Sequence, residues 1–352
     1  MQAISALFII IGLFYSSFAS GQYTADELFQ QGQESFDQGD FDAAVAYYSD
    51  ALEKNAQMIE AIINRGVAYE RLEQYEKALE DYEISIAINP NYPVVYNNMG
   101  WIHFLYGNYS KAIHNYNKAI ALDPQFALAY NNRGLANRAS ENLKEALDDY
   151  RKALLLDPYY ADAYDNMGDI RFDLEQYSDA LILYSQAIEV DSFFISAYNN
   201  RGLTSMEIQR YWDAIEDFDR AIELDPSIPL LYINKGNAHK ENKQFLKAIV
   251  AYSKAIELDP NNTSAYLNRA YSKLQAEQLL SAYEDVHKVH QLDTNNALAY
   301  YYLGLLEAAS NRHQEALNNY GKALNLDPYL KGVAEAQEKA KKALGQNSPT
   351  TD

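Results

Sequence analysis

Apolar and polar positions along this chain recur with a period of 34 residues. Set in rows of that length from Ala25, one column reads Ala44, Ala78, Ala112, Ala146, Ala180, Ala214, Ala248, Ala282 and Ala316. Twelve residues earlier a glycine column runs from Gly32 to Gly304, broken only by Ala270. A third column is aromatic from Tyr48 to Tyr320, apart from Val286, and a fourth holds Pro90, Pro124, Pro158, Pro226, Pro260 and Pro328. Each row predicts two helices. In the first, row positions 4, 8 and 11 share one face. In the second, residues such as Ala146, Tyr150, Ala153 and Leu154 stand at i, i+4, i+7 and i+8, an apolar stripe. The proline at row position 32 ends that helix and forces its predecessor out of the helical region. Glycine inside a helix costs about 1 kcal/mol relative to alanine. The column therefore implies close backbone approach, with Gly134 expected to face Ala146 and Ala153.

The row structure explains why AYNNRG occurs at 129–134 and again at 197–202, with AYDNMG at 163–168 between them. The period and the order aromatic, Gly, Ala, aromatic, Ala, Pro resemble the tetratricopeptide repeat. The resemblance implies an all-α, right-handed superhelical solenoid of nine hairpins, at 25–58, 59–92, 93–126, 127–160, 161–194, 195–228, 229–262, 263–296 and 297–330. One departure is that the family's Trp at row position 4 is Tyr in seven rows, as in Tyr96 and Tyr130. Row eight departs most, with Ala270, Val286, Val289 and His290, and a local irregularity is expected there. Residues 331–344 are rich in Ala and Lys, stop at Gly345, and read as a capping helix. The tail 345–352 is expected to be disordered.

Alternate rows carry a second signal. Arg65, Arg133, Arg201 and Arg269 stand at row position 7, and the same four rows carry Asp81, Asp149, Asp217 and Asp285 at row position 23. No other row has either residue there. The economical reading is four Arg–Asp pairs within hairpins; the alternative is an arginine ladder for acidic partners.

Row position 6 is the candidate binding column: Asn64, Asn98, Asn132, Asn166, Asn200, Asn234 and Asn268. In proteins this sequence resembles, stacked first helices line the inner wall of the superhelix, and this face looks into the groove. A carboxamide offers one acceptor and two donors, matching the backbone of an extended peptide. The repeat half of the eukaryotic enzyme that attaches N-acetylglucosamine to Ser and Thr has a similar ladder, which binds peptide in this way. The bland alternative is that these amides solvate the wall or bond to the next repeat. Asn97, Asn131 and Asn199, with Asp165, widen the polar strip, and Trp101 is a candidate aromatic anchor. The family's carboxylate clamp needs basic residues on this face, including row position 2, where none occurs.

Composition narrows the function. A net charge of −20 disfavours nucleic acid, whose affinity rests on Lys and Arg, and the absence of Cys excludes disulfides and thiolate metal sites. With 25–344 consumed by hairpins and cap, no catalytic domain is expected, and the nucleotide, zinc-protease and hydrolase motifs are absent. No cofactor is implied. His287 and His290 stand three apart as a conceivable metal pair, but the second falls at a packed row position, so a semi-buried histidine is the better reading. At the N-terminus an uncharged apolar run at 6–15 precedes Ala19-Ser20-Gly21, as in a secretory signal over 1–21 cleaved before Gln22. An uncleaved anchor is the second reading, since 2–25 carries no charge and the usual basic leader residues are missing. The expectation is therefore an exported, periplasmic or secreted, non-catalytic scaffold that holds an extended segment of another protein in its groove. The alternative is a structural subunit acting through its convex face or by self-association.

Overall fold

The computed structural model describes residues 23–346. The expected signal segment 1–21 and residues 347–352 of the tail lie outside the described residues. These contain nineteen helices and no strand. Every row supplies a first helix of 13 residues and a second of 14, such as Ala127–Ala139 followed by Leu143–Leu156. The chain divides into two compact units, one through Asn166 and the other from Met167. The first contains hairpins one to four and the opening turns of helix Ala161–Asp173; the second contains the remaining hairpins and the final helix Val333–Gln346.

The glycine column has a different partner from the one expected. A Cβ built on Gly134 would lie 2.6 Å from Cε1 of Tyr150, and one built on any of the eight glycines of the column would fall within 2.7 Å of the aromatic ring 16 residues later. The alanines are not what the glycine faces. The aromatic ring lies across the glycine backbone and is itself fully buried, as Tyr82, Tyr116, Tyr150, Tyr252 and Phe218 show. In row eight the helices, Thr263–Gln275 and Leu279–Leu292, keep the standard lengths, so its departures in residue type leave the helix bounds unchanged. There the added methyl of Ala270 coincides with a smaller Val286, and both are buried. The smaller side chain leaves room for the added Cβ, although the pair fills less volume than Gly with Tyr.

Two turns fix the hairpin ends, and neither depends on proline. Each first helix closes with row position 15 at positive φ, as at Glu73, Glu141, Lys243 and Asn311, with Gly39 and Gly107 in the same place. The next amide reaches back to the helix, Asn142 N to Asn137 O at 2.9 Å, and Glu141 N reaches Arg138 O at 2.9 Å, which is the paired Schellman bonding. Each second helix ends in an Asp or Asn at row position 31 whose side chain accepts the backbone N–H two residues on, in all nine rows from Asn55 to Asp327. Rows with Ala56, Ser192 or Thr294 in place of proline stop at the same position as the others, in Asn55, Asp191 and Asp293. The Asx turn is the common stop, and proline reinforces it.

The final helix begins two residues later than expected and runs through Gly345 rather than stopping before it. Gly332, at φ +84°, makes the turn into it, and Val333 and Ala340 are buried against Tyr320, Tyr301 and Leu305 of hairpin nine. It covers the apolar end that a tenth hairpin would otherwise cover.

Two stability changes follow. Gly134→Ala should lower stability by about 1–3 kcal/mol despite the better helix propensity of alanine, and it should cost less in a Tyr150→Val background, which copies hairpin eight, than in the native chain, as urea melts of the double-mutant cycle will read. Glu141→Gly relieves a left-handed non-glycine residue and should raise the urea midpoint, by up to about 1 kcal/mol in stability.

Candidate functional site

The first-helix face of the first unit carries a cavity of about 360 Å³. Its wall is built by Pro93–Leu105 and Ala127–Ala139, with Tyr160 and Asp162 at the entry to the next hairpin. Trp101, Leu128 and Leu135 are the apolar lining; Asn97, Asn98, Asn131 and Asn132 form the polar part. Trp101 is half-buried and stacks on Phe104 with ring centroids 5.4 Å apart, so its indole is held in one orientation. Leu128 is 42 % exposed. Burial pushes the Tyr160 hydroxyl up to about 12, with the nearby Asp162 and Asp157 charges adding to the shift and a bond to Asn131 opposing it. It remains a neutral hydrogen-bonding group at any ordinary pH.

The amide column is on this face, but much of its hydrogen bonding is spent inside the protein. Where the preceding row has Asn at position 5, the row-6 amide donates to it: Asn132 to Asn97 at 3.0 Å, Asn166 to Asn131 at 3.1 Å, and Asn234 to Asn199 at 2.8 Å. Where it does not, the amide finds another acceptor on the preceding hairpin. Asn98 donates to the Tyr82 hydroxyl, which donates in turn to Glu70 at 2.6 Å; Asn200 donates to Asp169 and Asn268 to Asn237. Asn64 bonds the Tyr48 hydroxyl in the same manner. Asn97, Asn131, Asn132 and Asn234 are buried, whereas Asn64, Asn98, Asn166, Asn199, Asn200 and Asn268 are half-buried. The column thus joins successive hairpins, as the alternative of bonding between repeats has it; within it Asn132 and Asn234 are buried, as are the neighbouring Asn97 and Asn131. The staple consumes one of the two amide hydrogens in each case. The Asn–Asn spacing of 35 residues was present in the sequence as Asn97/Asn132, Asn131/Asn166 and Asn199/Asn234 and was the readable sign of this bonding.

The four arginines sit on their aspartates. In each, Nε and Nη2 donate to the carboxylate as a fork, as in Arg65 to Asp81 at 2.8 and 2.7 Å and Arg269 to Asp285 at 2.9 and 2.6 Å. Arg133–Asp149 and Arg201–Asp217 have the same form. The third nitrogen, Nη1, bonds the preceding hairpin: Ser49, Asn117, Ser185 and Ser253 accept at 3.1, 2.6, 3.0 and 2.9 Å. The guanidinium also lies over a tyrosine ring, Tyr130, Tyr198 or Tyr266, at 5.4–5.7 Å. In row two, where position 4 is Ile62, Tyr69 takes that place at 6.0 Å. Each arginine therefore ties a first helix to two second helices. The sequence pattern showed the Asp; the Ser or Asn acceptors 16 residues upstream were equally visible and were missed.

His290 packs edge-on to Tyr300 with centroids 4.4 Å apart, and burial lowers its basicity. Among the described residues no group of three or more His, Asp or Glu is placed to hold a metal, and no helix is long and apolar enough to cross a membrane.

These observations define a helical-hairpin repeat protein. The sequence pattern described as "Tetratricopeptide repeat" matches residues 28–57, 59–92, 93–126, 127–160, 161–193, 195–228 and 229–262. The chain belongs to the tetratricopeptide-repeat family, whose members bind other proteins. Its sequence is similar to human tetratricopeptide repeat protein 12, 40 % identical over 76 residues, which are 22 % of this chain and 11 % of that protein. It is also 33 % identical over 86 residues to the heat shock protein STI1 of Saccharomyces cerevisiae, covering 24 % of this chain and 15 % of that one. The chain thus matches only a small part of either relative's length. Among solved structures, the C-terminal part of a repeat protein from Cytophaga hutchinsonii superposes with TM-score 0.55 at 21 % identity, over 67 % of this chain and 97 % of that one. The Cut9–Hcn1 hetero-tetramer of the APC/C superposes with TM-score 0.54 at 15 % identity, over 90 % and 76 %. Both likenesses concern the fold.

The bonding across hairpins is measurable. Double-mutant cycles should give a coupling of about 1 kcal/mol for Asn97 with Asn132, both changed to Ala, and about 1–3 kcal/mol for Arg133 with Asp149. Couplings near zero would show that neither contact persists in solution.

Proposed function

We propose that this chain is an exported, non-catalytic scaffold that binds an extended segment of a partner protein on its first-helix face. The observation that carries the reading is the cavity beside Trp101 and Leu128, where exposed apolar surface adjoins fixed amides. Pockets of this kind, apolar with a few placed polar groups, suit peptide side chains better than a flat helical surface does. Leu128 shares row position 2 of the first unit with Val94, and both are exposed. These residues supply the apolar contact, and the half-buried amides supply hydrogen bonds to the peptide backbone. Export rests on the uncharged apolar stretch and the small residues before Gln22; the first residue of the mature chain, read by N-terminal sequencing from its host, is then Gln22.

The test is site-specific photo-crosslinking. A photoreactive residue at Leu128 should capture one continuous segment of a partner protein, while the same group at Leu155, on a second helix, should not. Trp101→Ala should reduce the yield at Leu128 by about tenfold or more, as loss of an aromatic anchor does. Capture from Leu155 alone would assign the function to the other face.

A further inference from the structure

Row position 2 of the first unit changes character from hairpin to hairpin. Asp26, Glu60, Val94, Leu128 and Asp162 occupy it in rows one to five, and all five are exposed. Apolar residues stand in the middle and carboxylates on both sides. Leu128 and Asp162 both line the cavity beside Trp101, so one of these carboxylates already belongs to that site.

The carboxylates are not committed elsewhere. Among the described residues no Lys or Arg stands at ion-pair distance from Asp26, Glu60 or Asp162, and no basic residue lines the cavity. The arginines of these first helices are placed differently. Arg65 and Arg133 are held by Asp81 and Asp149. Arg71 and Arg138 lie in the last turn of their helices, whereas row position 2 lies in the first, about 15 Å away along the axis. A carboxylate in the first turn also suits the helix dipole. Six of the nine first helices have no acid there, however, so the fold does not require it. The wider field has the same sign on the Glu60 side: residues 25–92 carry fifteen acids against four bases, while 93–126 carry one acid against two. A field of that kind steers the cationic part of a partner toward hairpins one and two.

We propose that the first-helix face of this unit selects a segment in which an apolar side chain is flanked on both sides by Lys or Arg. This selectivity rests on the reading that a partner segment lies on this face, and adds the chemistry of that partner. The apolar side chain enters between Trp101, Leu128 and Leu135. One flanking cation meets Asp162, and the other meets Glu60, with Asp26 beyond it. Packed helices lie about 10 Å apart, the reach of about three extended residues. The two cations therefore stand about three residues to one side of the apolar anchor and about six to the other.

The test is fluorescence anisotropy of short synthetic peptides on the full-length protein, each with one central Leu or Phe and with Lys, Ala or Glu at the flanking positions. Lys-flanked peptides should bind about tenfold more tightly than Glu-flanked ones. Asp162→Asn with Glu60→Gln should remove most of that preference. Asp42→Asn with Glu83→Gln, an equal loss of charge from exposed positions on second helices, should leave it unchanged. Asp162→Lys should reverse the preference at one flank only, which neither unfolding nor general charge attraction would do. Trp101→Ala separates this selectivity from the docking face itself. If binding requires Trp101 but ignores the flanking charges, or if the second-helix pair alters the preference as much, the face stands and selection by these carboxylates is overturned. If no peptide requires Trp101, the docking face fails and the selectivity with it.

Discussion

The close contact between a first-helix backbone and an aromatic ring on the second helix is the constraint on which the other features rest. Helices usually pack 8–10 Å apart with side chains between them. Here a missing Cβ at row position 8 lets the ring at row position 24 lie directly on the helix, as Gly134 and Tyr150 do. That distance fixes where row positions 6 and 7 fall relative to the adjoining hairpin, and so makes both the amide staple and the arginine fork reachable. The exception is instructive: Ala270 stands with a smaller Val286 in place of the ring, and its hairpin retains both Arg269–Asp285 and the Asn268–Asn237 bond.

Polar groups on this scaffold work mainly between hairpins. A carboxamide or guanidinium that is half-buried loses water on one side and must find a protein partner there. Asn132 finds Asn97; Arg133 finds Asp149 and Asn117. What the first-helix face leaves exposed is consequently more apolar than the asparagine column alone suggests: Leu128, Val94 and Leu230 stand outward while several of the amides turn inward. A peptide meeting this face would be held by apolar side chains first and by amides second.

Most of the fold was legible because the repeat prints each constraint nine times. Helix lengths, the alanine and aromatic columns and the Arg–Asp pairing could all be read from columns alone. The readings that failed concern contacts whose partner lies in a different column or row. Gly134 was matched to alanines because one small residue suggests another, yet a flat ring fits a bare backbone equally well. The stop of the second helix was credited to proline, although Asp at row position 31 does the same work in every row, prolines or none. Gly345 was read as a helix end, but the helix runs one residue beyond it, because glycine weakens a helix by about 1 kcal/mol without forbidding it. The candidate site was half legible: the face and Trp101 were evident, but the inward commitment of Asn97 and Asn132 needed the spacing between rows.

Backbone hydrogen exchange, resolved hairpin by hairpin by mass spectrometry, tests most directly whether this contact between helix backbone and second-helix side chain organises the protein. Hairpin eight, with Ala270 on Val286, should exchange as slowly as hairpin seven, with Gly236 on Tyr252. If 263–292 exchanges at the rate of an open chain while 229–258 stays protected, the two contacts are not equivalent and the ring-on-glycine account of the fold fails.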